Sequence, residues 1–181
     1  ITEISDFLRL LYAKASTAYS PVTGREMVKY TDEQIISLII KNYNGEKTFL
    51  LAPLVKGRKG HYKELFEQLL RKGFTQVRVD GSIHELVNLK PLDRYKNHFI
   101  ELVVDKLIPK EEDIVRIRES VSTALNMGKG SLALLEANGK ELRFLSKQLM
   151  CPESGISFPE PAPHTFSFNS PQGACPHCKG L

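Results

Sequence analysis

Three cysteines in 181 residues are too few, and odd in number, for a disulfide scaffold, which favours a reducing, cytoplasmic setting. No apolar run approaches the ~20 residues that span a bilayer, and no charged-then-apolar leader opens the chain. Neither a G-x-x-x-x-G-K-[ST] phosphate loop nor an L-S-G-G signature occurs. The nearest stretch, Lys56-Gly57-Arg58-Lys59-Gly60-His61, has the wrong spacing and no hydroxyl to hold magnesium. The five histidines are scattered, and no Ser/His/Asp or paired-carboxylate arrangement stands out. These absences argue against a membrane span, a disulfide-stapled fold and nucleotide hydrolysis by this segment. The chain opens at Ile1 rather than methionine and ends at Leu181, just past Cys178, so it reads as a piece of a longer protein.

What is present is ordinary globular composition, 41% hydrophobic and 25% charged, enough for one domain with flanking segments. The net charge of +4 is concentrated rather than spread. Lys56, Arg58, Lys59, Lys63, Arg71 and Lys72 are opposed only by Glu64 and Glu67. That potential suits an acidic protein surface or phosphate, or is simply a solvated helix and loop.

Periodicity supplies the elements. Ile4, Phe7, Leu8 and Leu11 give a helix over 2–14. Thr31 and Gln34 form a capping box for a second helix, with Tyr30 placed to staple onto Ile35. A strand over Thr48–Val55 is expected to end near Pro53 and yield to a basic turn at 56–60. A helix over 61–72, with Leu65, Phe66, Leu69 and Leu70 inward, stops at Gly73. Asp80-Gly81 turns a hairpin, so Val77 and Val79 face one side of their strand and Gln76, Arg78 and Asp80 the other. The longest strand, 98–107, sets Ile100, Leu102 and Val104 against Glu101, Val103 and Asp105. A helix over 111–127 and strands at 131–136 and 142–146 around Asn138-Gly139 complete an α+β pattern, a small, mostly antiparallel sheet with helices packed on it. Residues 151–181 hold six of the ten prolines and no useful period, so a boundary falls near 147.

Three turns carry metal-knuckle chemistry. Cys175-Pro176-His177-Cys178 places two thiols on one turn, half of a tetrahedral zinc site. Cys151-Pro152-Glu153-Ser154-Gly155 and Ser20-Pro21-Val22-Thr23-Gly24 share the frame, with hydroxyls at Ser20, Thr23 and Ser154. Hydroxyls are poor zinc ligands, yet proline and glycine preserve the turn without an ion. One zinc shared by Cys151, Cys175, Cys178 and His164 is a further arrangement; a redox Cys175–Cys178 pair is disfavoured because no strand-to-helix context precedes it.

The run Phe166-Ser167-Phe168-Asn169-Ser170-Pro171-Gln172-Gly173-Ala174-Cys175-Pro176-His177-Cys178-Lys179-Gly180-Leu181 closely resembles the signature of the UvrA family, damage-sensing ATPases of bacterial nucleotide-excision repair. Glu3-Ile4 through Leu11, Leu51-Ala52-Pro53 through Arg58-Lys59-Gly60, Gly73-Phe74 through Gly81, and His98 through Lys106 resemble further stretches in the same order. The resemblance implies that 31–146 is a UvrB-interaction domain inserted between scaffold segments 1–30 and 147–181. It implies that positions 20, 23, 151 and 154 share one zinc in the family; here Cys151 would remain as a small buried apolar residue. It implies that Cys175 and Cys178 bind zinc only with ligands outside this chain. ATP, magnesium, DNA and self-association would belong to the parent, with no membrane role.

The expected docking surface is charged: Gln76, Arg78 and Asp80 from one strand face, Asp105 and Lys106 at the end of the long strand, and Lys56, Arg58 and Lys59 from the basic turn. In the family, arginines match Gln76 and Lys106; an amide and a lysine lack the bidentate fork, shifting weight to Arg78, Arg58 and Lys59. The alternative is direct nucleic-acid binding through 56–72, with steep salt dependence.

Overall fold

The computed structural model describes residues 2–137, 139 and 142–178; Asn138 of the expected turn and Lys179–Leu181 lie outside them. Helix α1 (Thr2–Ala15) is followed by α2 (Asp32–Tyr43), β1 (Thr48–Lys59), α3 (Lys63–Arg71), β2 (Gln76–Val79) and β3 (Ser82–Glu85). After a 3-10 turn (Leu86–Asn88) come β4 (Asn97–Leu107), α4 (Ile114–Met127), β5 (Ser131–Glu136), β6 (Arg143–Ser146), β7 (Leu149–Met150) and β8 (Ser157–Phe158). The first six strands form one sheet in the order β3-β2-β4-β1-β5-β6, antiparallel throughout. The α+β expectation holds.

Helices α2, α3 and α4 cover one face. Ile35, Ile36, Ile39, Ile117, Val121 and Leu125 pack there with Leu50, Leu132, Leu134 and Leu145, and Phe66 and Leu69 with Val77, Ile100 and Leu102. Each fully buried side chain of this kind contributes ~1.5–3 kcal/mol. The Thr31–Gln34 capping box forms in both directions, and Tyr30 packs against the Ile35 cluster. Leu70 and Ile114 are exposed, so α3 and α4 bury narrower stripes than their sequences suggest. Asp80 and Gly81 both take positive φ, the conformation a two-residue hairpin turn requires.

Two expectations fail at the sheet. β1 does not end at Pro53 but runs to Lys59, where Arg58 pairs with His98 and Lys59 with Asn97; register shifts around Val55 absorb the proline and Gly57. Residues 56–59 of the expected 56–60 turn are therefore strand. In β4 the alternation breaks: Leu50 pairs with Asp105 but Leu51 with Val103. The extra residue, Val104, is a bulge that returns Asp105 to the helix face.

Helix α1 forms as expected, but its apolar stripe of Ile4, Phe7, Leu8 and Leu11 is exposed, Phe7 by 73%. Its neighbour is the 3-10 turn Pro163–Phe166, where Phe166 meets Tyr12 at 5.8 Å between ring centroids.

Candidate protein-docking face

The face of the sheet opposite the helices carries a second apolar layer: Leu51, Val103, Ala133 and Leu135, rimmed by Phe49, Leu142 and Phe144. Lys106 stands at one margin with its ammonium 5.6 Å from the Phe49 ring centroid. Gln76, on the same face of β2, bonds the Glu85 carboxylate across the hairpin. At the other margin Lys56 donates from Nζ to the Gly155 carbonyl at 2.7 Å and lies over the Phe144 ring. Phe144 in turn donates its amide to the Pro152 carbonyl. The 151–155 turn thus sits on this face, and enclosure of the ammonium pulls the Lys56 pKa down despite the nearby Glu101 carboxylate.

Arg78 does not project into solvent. It is 9% exposed and bonds Glu101 of β4, itself 4% exposed, at 3.0 Å; Arg78 and Glu101 are cross-strand partners. Burial pushes the Glu101 carboxyl up, and the guanidinium opposes that shift. The Arg78 Nε is buried without a hydrogen-bond partner. Arg78 is therefore a structural cation of the face rather than a contact on it, because β4 supplies a carboxylate at its register position.

Asp105 leaves the surface for a related reason. After the bulge it accepts from Arg116 Nη2 at 2.9 Å and Ser120 Oγ at 2.7 Å, anchoring α4. Against partial burial, these bonds and the Lys106 amide hold its carboxyl below the usual range. Asp80 is also committed: its Oδ1 accepts from the Phe99 amide at 2.8 Å and its Oδ2 lies 2.7 Å from His98 Nδ1. Nε2 of His98 lies 2.9 Å from the Asp93 carbonyl oxygen. The carboxylate and the carbonyl oxygen are both acceptors, so this setting favours the doubly protonated imidazole. The bond to Asp80 accordingly raises the His98 pKa; against partial burial, the same bond and the Phe99 amide depress that of Asp80. Of the expected contacts, Lys106, Arg58 and Lys59 are exposed and Gln76 partly so, and Lys56 and Asp80 are exposed as well although hydrogen-bonded to Gly155 and to His98 and Phe99. Sequence periodicity missed Phe49, Phe144 and Glu101; of these, only Glu101 carried a signal, as an acid at the centre of an apolar strand.

The two knuckle-like turns meet. Thr23 Oγ1 lies 3.2 Å from Cys151 Sγ, and the turns repeat each other: Gly24 donates to the Ser20 carbonyl and Gly155 to that of Cys151, both at 2.9 Å, with both glycines at φ +67°. Cys151 is buried as expected but is not in an apolar setting. Burial opposes its ionisation, yet bonds from the Ser154 and Thr23 hydroxyls and the Ser154 and Glu153 amides bring the thiol down to about 6. One thiol among three neutral hydroxyls does not fit zinc; these positions bond one another instead. Cys175 and Cys178 are exposed, and the Cys178 and His177 amides with the Cys178 thiol lower the Cys175 pKa. Among the described residues no three His, Cys, Asp or Glu side chains converge as a metal site, so the Cys151–Cys175–Cys178–His164 arrangement does not form. No helix among them is long and apolar enough to cross a membrane.

The profile of the family described as "UvrA interaction domain" matches residues 30–138. Curated relatives carry the name UvrABC system protein A: 44% identity in Thermus thermophilus, 39% in Aquifex aeolicus and 40% in Bacillus subtilis, each over 100% of this chain. The chain spans about a fifth of those relatives' length, 19–20%.

Proposed function

The chain belongs to the UvrA interaction-domain family, and on that premise we propose that it docks UvrB within a damage-recognition ATPase of nucleotide-excision repair. As an interaction-domain segment it is not the ATPase domain; nucleotide, magnesium, lesion DNA and self-association are assigned to the remainder of the longer protein. Residues 31–146 are the docking unit, and 1–30 with 147–181 the scaffold that presents it. Zinc at Cys175 and Cys178 is assigned to the longer protein, where further ligands complete the site.

The observation that supports this reading is the division of labour between the two sheet faces. Helices consume one face completely. The other keeps a firm apolar floor, with Lys106 and Gln76 at its accessible margin. A rigid strand-borne cation beside aromatic surface suits an acidic protein partner. Calorimetric titration with folded UvrB tests it at two salt concentrations. One-to-one binding that weakens moderately with salt, and about tenfold or more with Lys106→Glu, is expected; equal affinity for Lys106→Glu and Lys14→Glu would refute the assignment of this face.

A further inference from the structure

A second surface lies at the opposite end of β4, seven residues from Lys106 and so roughly 23 Å along the strand. We propose that this end, where exposed Phe99 and Tyr95 share one strand end and its adjoining loop with Arg58, Lys59 and Arg94, binds single-stranded nucleic acid by base stacking and phosphate contact. The inference does not depend on the docking reading above, which concerns the Lys106 end.

Phe99 is 52% exposed, although it sits between buried His98 and Ile100. Its ring is seated on Gly57 (φ +60°), which has no Cβ; one built there would lie 3.3 Å from the ring. One side is thus backed by rigid strand. Tyr95 is 68% exposed with the Arg94 guanidinium 4.6 Å from its ring centroid, a second flat, cationic element. Hydrogen bonding fixes both elements together: Asp93 accepts from His98 Nε2 through its carbonyl and from the Tyr95 amide through its carboxylate. Tyr62 Oη donates to the Arg58 and Lys59 carbonyls, pinning the end of β1 beside them.

Among the described residues, Arg58, Lys59 and Arg94 have no carboxylate within ion-pair distance. The neighbouring acids are occupied, Asp80 by His98 and the Phe99 amide, Asp93 by Lys96 at 3.9 Å and the Tyr95 amide. Cations without a carboxylate partner, near exposed aromatic rings, match a flexible polyanion whose bases are unstacked. A duplex hides those base faces.

The test is fluorescence anisotropy of labelled oligodeoxythymidylate with the 181-residue chain. Three phosphate contacts on a single strand predict roughly 20-fold weaker binding at 200 mM than at 50 mM salt. Tyr95→Ala and Phe99→Ala are each expected to weaken binding by about 5-fold or more with the salt slope unchanged; Arg58→Ala and Arg94→Ala each flatten the slope by about 0.7. Tyr95 and Arg94 are exposed enough that these variants fold, which melting curves check. Binding unaffected by Tyr95→Ala, or tighter binding of the matched duplex, overturns the proposal. So does a loss of UvrB affinity in the same variants with oligonucleotide binding intact, which makes this end a protein surface. If UvrB docking through Lys106 fails while oligonucleotide binding survives, only the docking reading falls.

Discussion

Replacing Arg78 by methionine tests the claim that this arginine belongs to the fold rather than to the interface. The substitution keeps the aliphatic stem and removes the charge facing Glu101 at 3.0 Å. Both side chains are nearly excluded from solvent, so Glu101 would be left as an uncompensated buried carboxylate, a change that costs about 3–5 kcal/mol. For a chain of this size that is a fall of roughly 6–20 °C in melting midpoint. The deficit carries a pH signature. Burial already raises the Glu101 pKa, and losing Arg78 raises it further. A carboxyl with a raised folded pKa penalises the native state only above its unfolded value of about 4.3. The deficit is therefore largest at neutral pH and shrinks as pH falls toward 4–5 and Glu101 takes up a proton. Adding Glu101→Leu to Arg78→Met removes both charges and should recover most of the loss. Differential scanning fluorimetry across pH on the wild type and the two variants reads all of this. A loss below about 1 kcal/mol in Arg78→Met, or a double variant no better than the single, would refute the reasoning.

Asp105→Ala removes the bonds from Arg116 and Ser120 and should lower stability by about 1–2 kcal/mol without weakening UvrB binding in calorimetry, because the residue faces α4. Asp80→Asn, tolerated at φ +48°, should show a pH-dependent deficit. The raised His98 pKa contributes stability fully below about 6.5, lost as pH rises through the raised value, and the depressed Asp80 pKa contributes above about 3.9. The gap in melting midpoint from the wild type is thus widest near pH 5–6 and narrows above neutrality. At the paired turns, EDTA should leave the melting midpoint of the isolated chain unchanged, whereas Cys151→Ala, which breaks the 3.2 Å contact with Thr23, lowers it; a chelator-sensitive midpoint in metal-loaded protein contradicts the hydrogen-bonded reading.

The chain's local rules announced its elements. A capping box, a glycine after α3, an Asp-Gly turn and two apolar periods are each written in neighbouring residues, and short-range sterics and hydrogen bonding act at that range. The knuckle frames were legible for the same reason: proline and glycine fix a turn with or without metal. The side on which a charged residue finishes was not legible. Arg78 alternates outward on β2, yet Glu101 arrives opposite it from 23 positions away. Asp105 follows the strand's period until Val104 bulges and turns it to Arg116. Lys56 looked free until the 151–155 turn, 99 positions on, placed a carbonyl over it. Sequence alone determined most of the helices, strands and turns, because those choices depend on residues a few positions apart; the extension of β1 through Lys59 needed β4 as its partner. Only the tertiary structure decided which charges remain available to a partner, because pairing and burial are settled by register and by chain segments that meet across the fold.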